Sequence, residues 1–153
     1  MKALLTGIDR AEALRYLGCR GAFPPEIVEQ ADNAAEEILR TARPRWGYRE
    51  YALERDSADL RVAGTFLKLP GKDIQTLLEG CSSAVFFAVT LGAEAEALVR
   101  RAELTDMGKA LIFDCCMSAA VENVCDNLQE KLEKDYQGRG LFLTDRYSPG
   151  YGD

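Results

Sequence analysis

The sequence contains no histidine. That absence excludes a Ser-His-Asp triad, imidazole acid–base catalysis and every histidine-containing metal site. Positive charge is in deficit, with 19 Lys and Arg against 25 Asp and Glu and a formal net charge of −6. Phosphate-backbone binding needs a basic surface, and no basic run offsets the deficit, so nucleic acid is not an expected partner. Long apolar runs are missing as well. The longest, Ala84 to Val89 with Leu91 beyond it, falls far short of the roughly 20 residues that span a bilayer. The apolar part of the opening MKALLTGIDR is too short for a signal peptide, so the protein is expected to be soluble and cytoplasmic. Five cysteines, Cys19, Cys81, Cys115, Cys116 and Cys125, include no C-x-x-C pair. Such a set reads as reduced thiols that fill space as small apolar residues.

What is present fits one domain, residues 1–153, with 47% apolar and 29% charged residues. A domain of this size buries roughly 70% of the surface of its unfolded chain and needs no staples. Asp9 to Leu17 is expected to form a short helix, capped by Asp9 and closed by Gly18. Pro25 suits a first helical position, and apolar residues from Ile27 to Leu39 recur at helical spacing, so Pro25 to Ala42 is a second helix. Trp46 to Leu53 is aromatic-rich and reads as a strand, although its alternation slips near Glu50. Arg61 to Leu67 reads as another strand with a bend at Gly64. Lys72 to Leu78 is a short helix. Ser83 to Thr90 is apolar throughout, as in a strand buried on both faces. It ends in Thr90-Leu91-Gly92, before a helix over Ala93 to Ala102. That turn is either an ordinary strand-to-helix connection or a ligand-facing loop with exposed backbone N–H groups.

Asp106 to Tyr136 is the longest expected helix, with Thr105 as its cap. Met107, Ala110, Leu111, Met117, Val121, Cys125, Leu128 and Leu132 form its apolar stripe, widened by Phe113, Cys116 and Ala120. Asp114 and Ser118 fall on that stripe, where a carboxylate needs a partner. Asp114 then either makes a structural hydrogen bond or orients a binding loop. Glu122 begins the polar flank. Gly138 to Gly140 ends the helix, and Leu141 to Thr144 is expected as a short strand. The fold class is therefore α+β, a twisted and mainly antiparallel sheet of about four strands packed by long helices.

The chain ends in RYSPGYGD, Arg146 to Asp153. Proline and glycine rule out a regular helix there. A glycine loop lets a planar ligand lie against the main chain. Arg146 offers a rigid fork for a carboxylate, and Tyr151 an aromatic face for a cation. Carboxylate, purine and cation together describe S-adenosylmethionine (AdoMet), and a nucleotide or an acidic peptide meets the same description in part.

The phrase resembles the R-x-x-P-G-Y signature of the activation (AdoMet-binding) domain of vitamin B12-dependent methionine synthase, in the version carried by small stand-alone proteins. LRYLGCRG (Leu14 to Gly21), the strand running into Thr90 to Gly92, and SAAVENVCD (Ser118 to Asp126) are similar to that group too. The resemblance implies an AdoMet-binding reactivation module. It would support reductive methylation of cob(II)alamin on a partner cobalamin-dependent methionine synthase, or a related corrinoid methyltransferase, with an electron donor such as flavodoxin. Cobalamin would be carried by the partner. The chain would be accessory to that methyltransferase in methionine biosynthesis rather than an independent enzyme. Positioning is what such chemistry needs, because a sulfonium methyl is already activated.

On this resemblance Arg146 is expected to bind the AdoMet carboxylate. The backbone around Tyr147, Ser148 and Pro149 would contact the adenosine, with Ser148 a modest departure from the family motif. Gly150 would permit close approach, and Tyr151 would sit near the sulfonium. The family also uses an acidic residue early in the domain, and no residue here aligns with it. The chain ends at Asp153, soon after the motif, and is expected to lack the continuation that walls the family's site. Two other readings stand beside this one. The first is an interaction or scaffold protein that keeps the fold without binding AdoMet. The second is an enzyme using Cys81 or Cys116 as nucleophile with a Lys, Asp or Glu base.

Overall fold

The structure is a computed structural model and describes residues 4–18, 21–56 and 59–148. Among them the chain forms α1 (Arg10–Tyr16), α2 (Pro25–Thr41), β1 (Arg45–Asp56), β2 (Asp59–Val62), α3 (Lys72–Leu77), β3 (Ser83–Thr90), α4 (Ala93–Glu103) and α5 (Met107–Gln137). The strands make one three-stranded sheet in the order β2-β1-β3. β1 and β2 are antiparallel, with Leu53 opposite Val62 and Asp56 opposite Asp59. β1 and β3 also run antiparallel: Leu53 N–H donates to Ser82 O at 2.9 Å, while Arg43 N–H, before β1, donates to Leu91 O at 2.8 Å, after β3. The α+β expectation holds.

The chain divides into two compact units, Met1–Trp46 with Val89–Leu132, and Gly47–Ala88 with Glu133–Asp153. The first is helical. Its core joins Ala13 of α1, Ala31, Ala34 and Ile38 of α2, Ala95 and Leu98 of α4, and Phe113, Cys116, Ala120 and Val124 of α5. Alanines at the contacts let helix axes approach closely, because interaxial distance follows side-chain size. Asp9 caps α1 as expected, accepting from Glu12 N–H at 3.1 Å. The segment before α1 is pinned to α5 by two asparagines one turn apart. Asn123 Oδ1 accepts from Thr6 N–H at 2.9 Å, and Asn127 Nδ2 donates to Leu4 O at 2.8 Å.

The second unit packs Leu60, Val62, Leu69 and Leu78 with Tyr51, Leu53, Ile74 and Phe86. Tyr51 and Phe86 meet edge-on at 5.7 Å. Strand side chains alternate between faces, so Tyr51 and Leu53 leave Glu50 on the opposite face of β1.

Four expectations need correction. The strand expected over Arg61 to Leu67 stops at Val62, because Gly64 turns at a φ of +70° and the chain folds back. Val62 N–H then donates to Leu67 O at 3.0 Å, and Leu69 N–H to Leu60 O at 2.8 Å. No strand forms over Leu141 to Thr144: residues 141–148 take neither helix nor strand. The buried stripe of α5 differs only in part from the expected one: Ala110, Phe113, Cys116, Ala120, Cys125, Leu128 and Leu132 are buried as expected. Ile112, Ala119 and Val124 join them, whereas Met107 and Leu111 are 68% and 54% exposed. Its cap is Asp106, whose Oδ1 accepts from Lys109 N–H at 3.1 Å, rather than Thr105.

Candidate functional site

The terminal segment is launched from the end of α5. Tyr136, in the last turn, is buried. Gly140 takes a φ of +74°, its N–H donates to Gln137 O at 2.9 Å, and Leu141 N–H donates to Tyr136 O at 3.0 Å. This pair of bonds is the Schellman cap, and the left-handed residue it needs is glycine. The chain then continues without a strand ladder, so its backbone groups are not committed to a sheet. Arg146 and Tyr147 are half-buried and Ser148 is exposed. The remaining expected ligand contacts, Pro149, Gly150 and Tyr151, lie outside the described residues.

A polar node stands at the same cap. Glu50 of β1 accepts from Ser83 Oγ of β3 at 2.9 Å, from Tyr136 OH at 2.9 Å and from Arg139 at 3.0 Å. The Arg139 guanidinium, then Tyr136 and Ser83, hold its carboxyl below the usual glutamate range. Burial, then the hydrogen bond to Glu50, push the Tyr136 phenol up. Composition and periodicity did not single out Glu50 as functional. The signal was the lost alternation at that position: Glu50 and Tyr51 are both half-buried, on opposite faces.

The Thr90-Leu91-Gly92 turn has protein partners for its key groups. Gly92 N–H donates to Thr90 Oγ1 at 3.1 Å, and Leu91 O accepts from Arg43. Gly92 has a φ of +92°, and a Cβ there would lie 3.1 Å from Arg43 O. Arg43 in turn donates to the last carbonyls of α2 and to that of its cap, Ala42 O, at 2.8 Å. Glu94 and Glu96 fill the first turn of α4, which favours the helix dipole and disfavours an anionic ligand. The turn is structural.

Asp114 and Ser118 are exposed, so neither needs the buried partner that the expected stripe implied. Cys115, Cys116 and Cys125 are buried and Cys81 is half-buried; Cys19 lies outside the described residues. Burial first, then Cys115 and Asp32, push the Cys116 thiol up to about 11. A thiol held there is almost wholly protonated at neutral pH, the opposite of an activated nucleophile. Among the described residues no group of three Cys, Asp or Glu side chains gathers as a metal site, and no helix is long and apolar enough to cross a membrane. A cleft of about 280 Å³ lies in the first unit between α2 and the start of α5, lined by Asn33, Glu37, Lys109 and Phe113 among others. Among the described residues, its lining includes none from the terminal motif.

No family model and no curated protein matches the sequence. The fold does have a counterpart. It is similar to that of the MetH reactivation domain. The crystal structure of that domain bound to AdoHcy aligns with a TM-score of 0.64 at 17% sequence identity, over 97% of this chain and 61% of the other. This chain thus spans about 61% of the length of the neighbour it matches. At that identity the likeness is one of fold.

Proposed function

We propose that the chain is an AdoMet-binding reactivation module of the methionine synthase activation-domain family. The observation that carries this reading is the fold match to an AdoHcy-bound reactivation domain over 97% of the chain. The Arg146 to Tyr151 signature adds to it, because it is the part of the sequence whose chemistry suits AdoMet. Two features of the described part of that segment support the reading. Its backbone lies outside any ladder, as main-chain recognition of a purine requires, and Arg146 is half-buried rather than fully solvated.

In this reading Arg146 pairs with the AdoMet carboxylate through its fork. The main chain at Tyr147, Ser148 and Pro149 holds the adenosine, Gly150 allows close approach, and Tyr151 faces the sulfonium. When bound, AdoMet supplies an activated methyl group for a cobalt centre. This chain binds and orients; the cobalamin belongs to a partner methyltransferase, methionine-forming or related, and the electron to a donor such as flavodoxin. The protein works in the cytoplasm.

The test is calorimetric titration of AdoMet into the parent chain and into Arg146→Ala. The parent is expected to bind. The variant is expected to lose about 1.5–3 kcal/mol, the usual value of a charge-assisted hydrogen bond. Equal binding by both would remove Arg146 from the site. Silence from the parent, with no rise in Tm on adding AdoMet, would favour a scaffold that keeps the fold alone.

A further inference from the structure

Glu50 lies far from the terminal motif in sequence, yet it is bonded to the structure that launches it. Its oxygens divide their partners. Oε1 accepts from Ser83 Oγ, and Oε2 accepts from both Tyr136 OH and Arg139. One donor comes from β3, one from the last turn of α5 and one from the cap that follows. An exposed ion pair with Arg139 alone would hold little. Here the carboxylate is shared with a tyrosine that is 4% exposed, so its place is set from several sides.

The two α5 residues that Glu50 grips also build the cap. Tyr136 O accepts from both Arg139 N–H at 2.9 Å and Leu141 N–H at 3.0 Å. Arg139 immediately precedes Gly140, the left-handed residue. The direction in which the chain leaves α5 is therefore set where Glu50 acts. The six residues Leu141 to Arg146 reach at most about 20 Å when extended. A tilt of about 10° at the cap would then move Arg146 by up to about 3 Å. A bidentate carboxylate site tolerates only about 0.5 Å.

The geometry points to Glu50 as the positioning residue of the ligand segment: it locks the cap of α5 and so aims Arg146 and Tyr147. This inference rests on the AdoMet reading. It assigns no contact between Glu50 and AdoMet.

The experiment titrates AdoMet into the parent, Glu50→Gln and Arg139→Gln, well below the Tm of each. Amide hydrogen exchange at Gly140 and Leu141 is followed in the same samples. Glu50→Gln is expected to bind AdoMet about tenfold more weakly and Arg139→Gln about threefold, with faster exchange at both amides. A merely structural glutamate would lower Tm but leave the Kd of the folded protein at the parent value. Parent-like Kd in Glu50→Gln would thus overturn the positioning role and leave AdoMet binding standing. A parent that does not bind would overturn the AdoMet reading and this inference with it. Should Glu50→Gln fail to fold, Arg139→Gln carries the test, because its side chain is 53% exposed and its loss leaves the core intact.

Discussion

In the first unit, Ala31, Ala34, Ala95, Ala119 and Ala120 pack around Ile38, Cys116 and Val124. The second unit has a smaller apolar cluster on one face of its sheet and a carboxylate node, Glu50 with Ser83, Tyr136 and Arg139, on the other face of β1. The first is a set of helices held by close contact of small side chains. Its stability depends on volume and should be nearly indifferent to pH. The second depends on charge and hydrogen bonding as well, and it carries the segment proposed to meet AdoMet. Apolar packing and a polar, hydrogen-bonded cap are thus assigned to different parts of one chain.

The largest expected effect comes from breaking the packed unit. Ile38 is fully buried among alanines that cannot expand to fill a void. Ile38→Ala should cost about 3 kcal/mol, transfer and cavity together, read as a lower urea midpoint at unchanged slope. A loss below about 1 kcal/mol would show that the helices close over the gap, and the contrast between the units would weaken.

Two glycines give the next test, one in each unit. Gly92 has a positive φ, and an added Cβ would press on Arg43 O at 3.1 Å; Gly64 also has a positive φ but meets nothing within 4 Å. Gly64→Ala should cost only the left-handed penalty, about 1 kcal/mol. Gly92→Ala adds the close approach to backbone and should cost about 2 kcal/mol. Equal losses in thermal unfolding would mean that the Thr90-Leu91-Gly92 turn yields more easily than its hydrogen bonds suggest.

These two units were not equally legible. The helices of the first follow from periodicity and punctuation: Pro25 opens α2 and Asp9 caps α1. In α5 helical periodicity located most of the stripe but missed part of it. Small residues such as Ala119 carry little hydrophobic signal even when fully buried, so Met107 and Leu111 drew the stripe toward solvent. The second unit was read less well because its turns are set by long-range pairing. Leu67 returns to pair with Val62, and nothing local to Arg61 to Leu67 requires that. Likewise, LFLT at Leu141 to Thr144 has strand propensity but takes no strand in the structure, and propensity does not make a strand by itself. The motif was legible as chemistry from its residue types. The Glu50 node was not, since its members come from three separate stretches of the chain, β1, β3 and the end of α5.

The smallest expected effect is the one that sharpens the contrast most, because it separates the units by pH. The carboxyl of Glu50 is lowered in the folded protein by Arg139, Tyr136 and Ser83. A group with a depressed folded value contributes stability that is fully present above its unfolded value, about 4.3, and lost as pH falls through the folded one. The Tyr136 phenol is raised, by burial and then by Glu50. Its contribution is present below about 10 and lost as pH climbs through the folded value. The node should therefore stabilise the protein on a plateau bounded by acid on one side and alkali on the other. At pH 7 Glu50→Gln should cost about 1 kcal/mol, modest because water reaches a side chain that is 29% exposed. Urea unfolding of parent and variant from pH 3 to pH 8 measures the gap. It should stay flat from about pH 5 upward and close below about pH 4. Ile38→Ala, whose loss is one of packing, should show the same deficit across that whole range. If the Glu50 gap is also flat to pH 3, the carboxylate is not what holds the cap, and the second unit is packed on the same terms as the first.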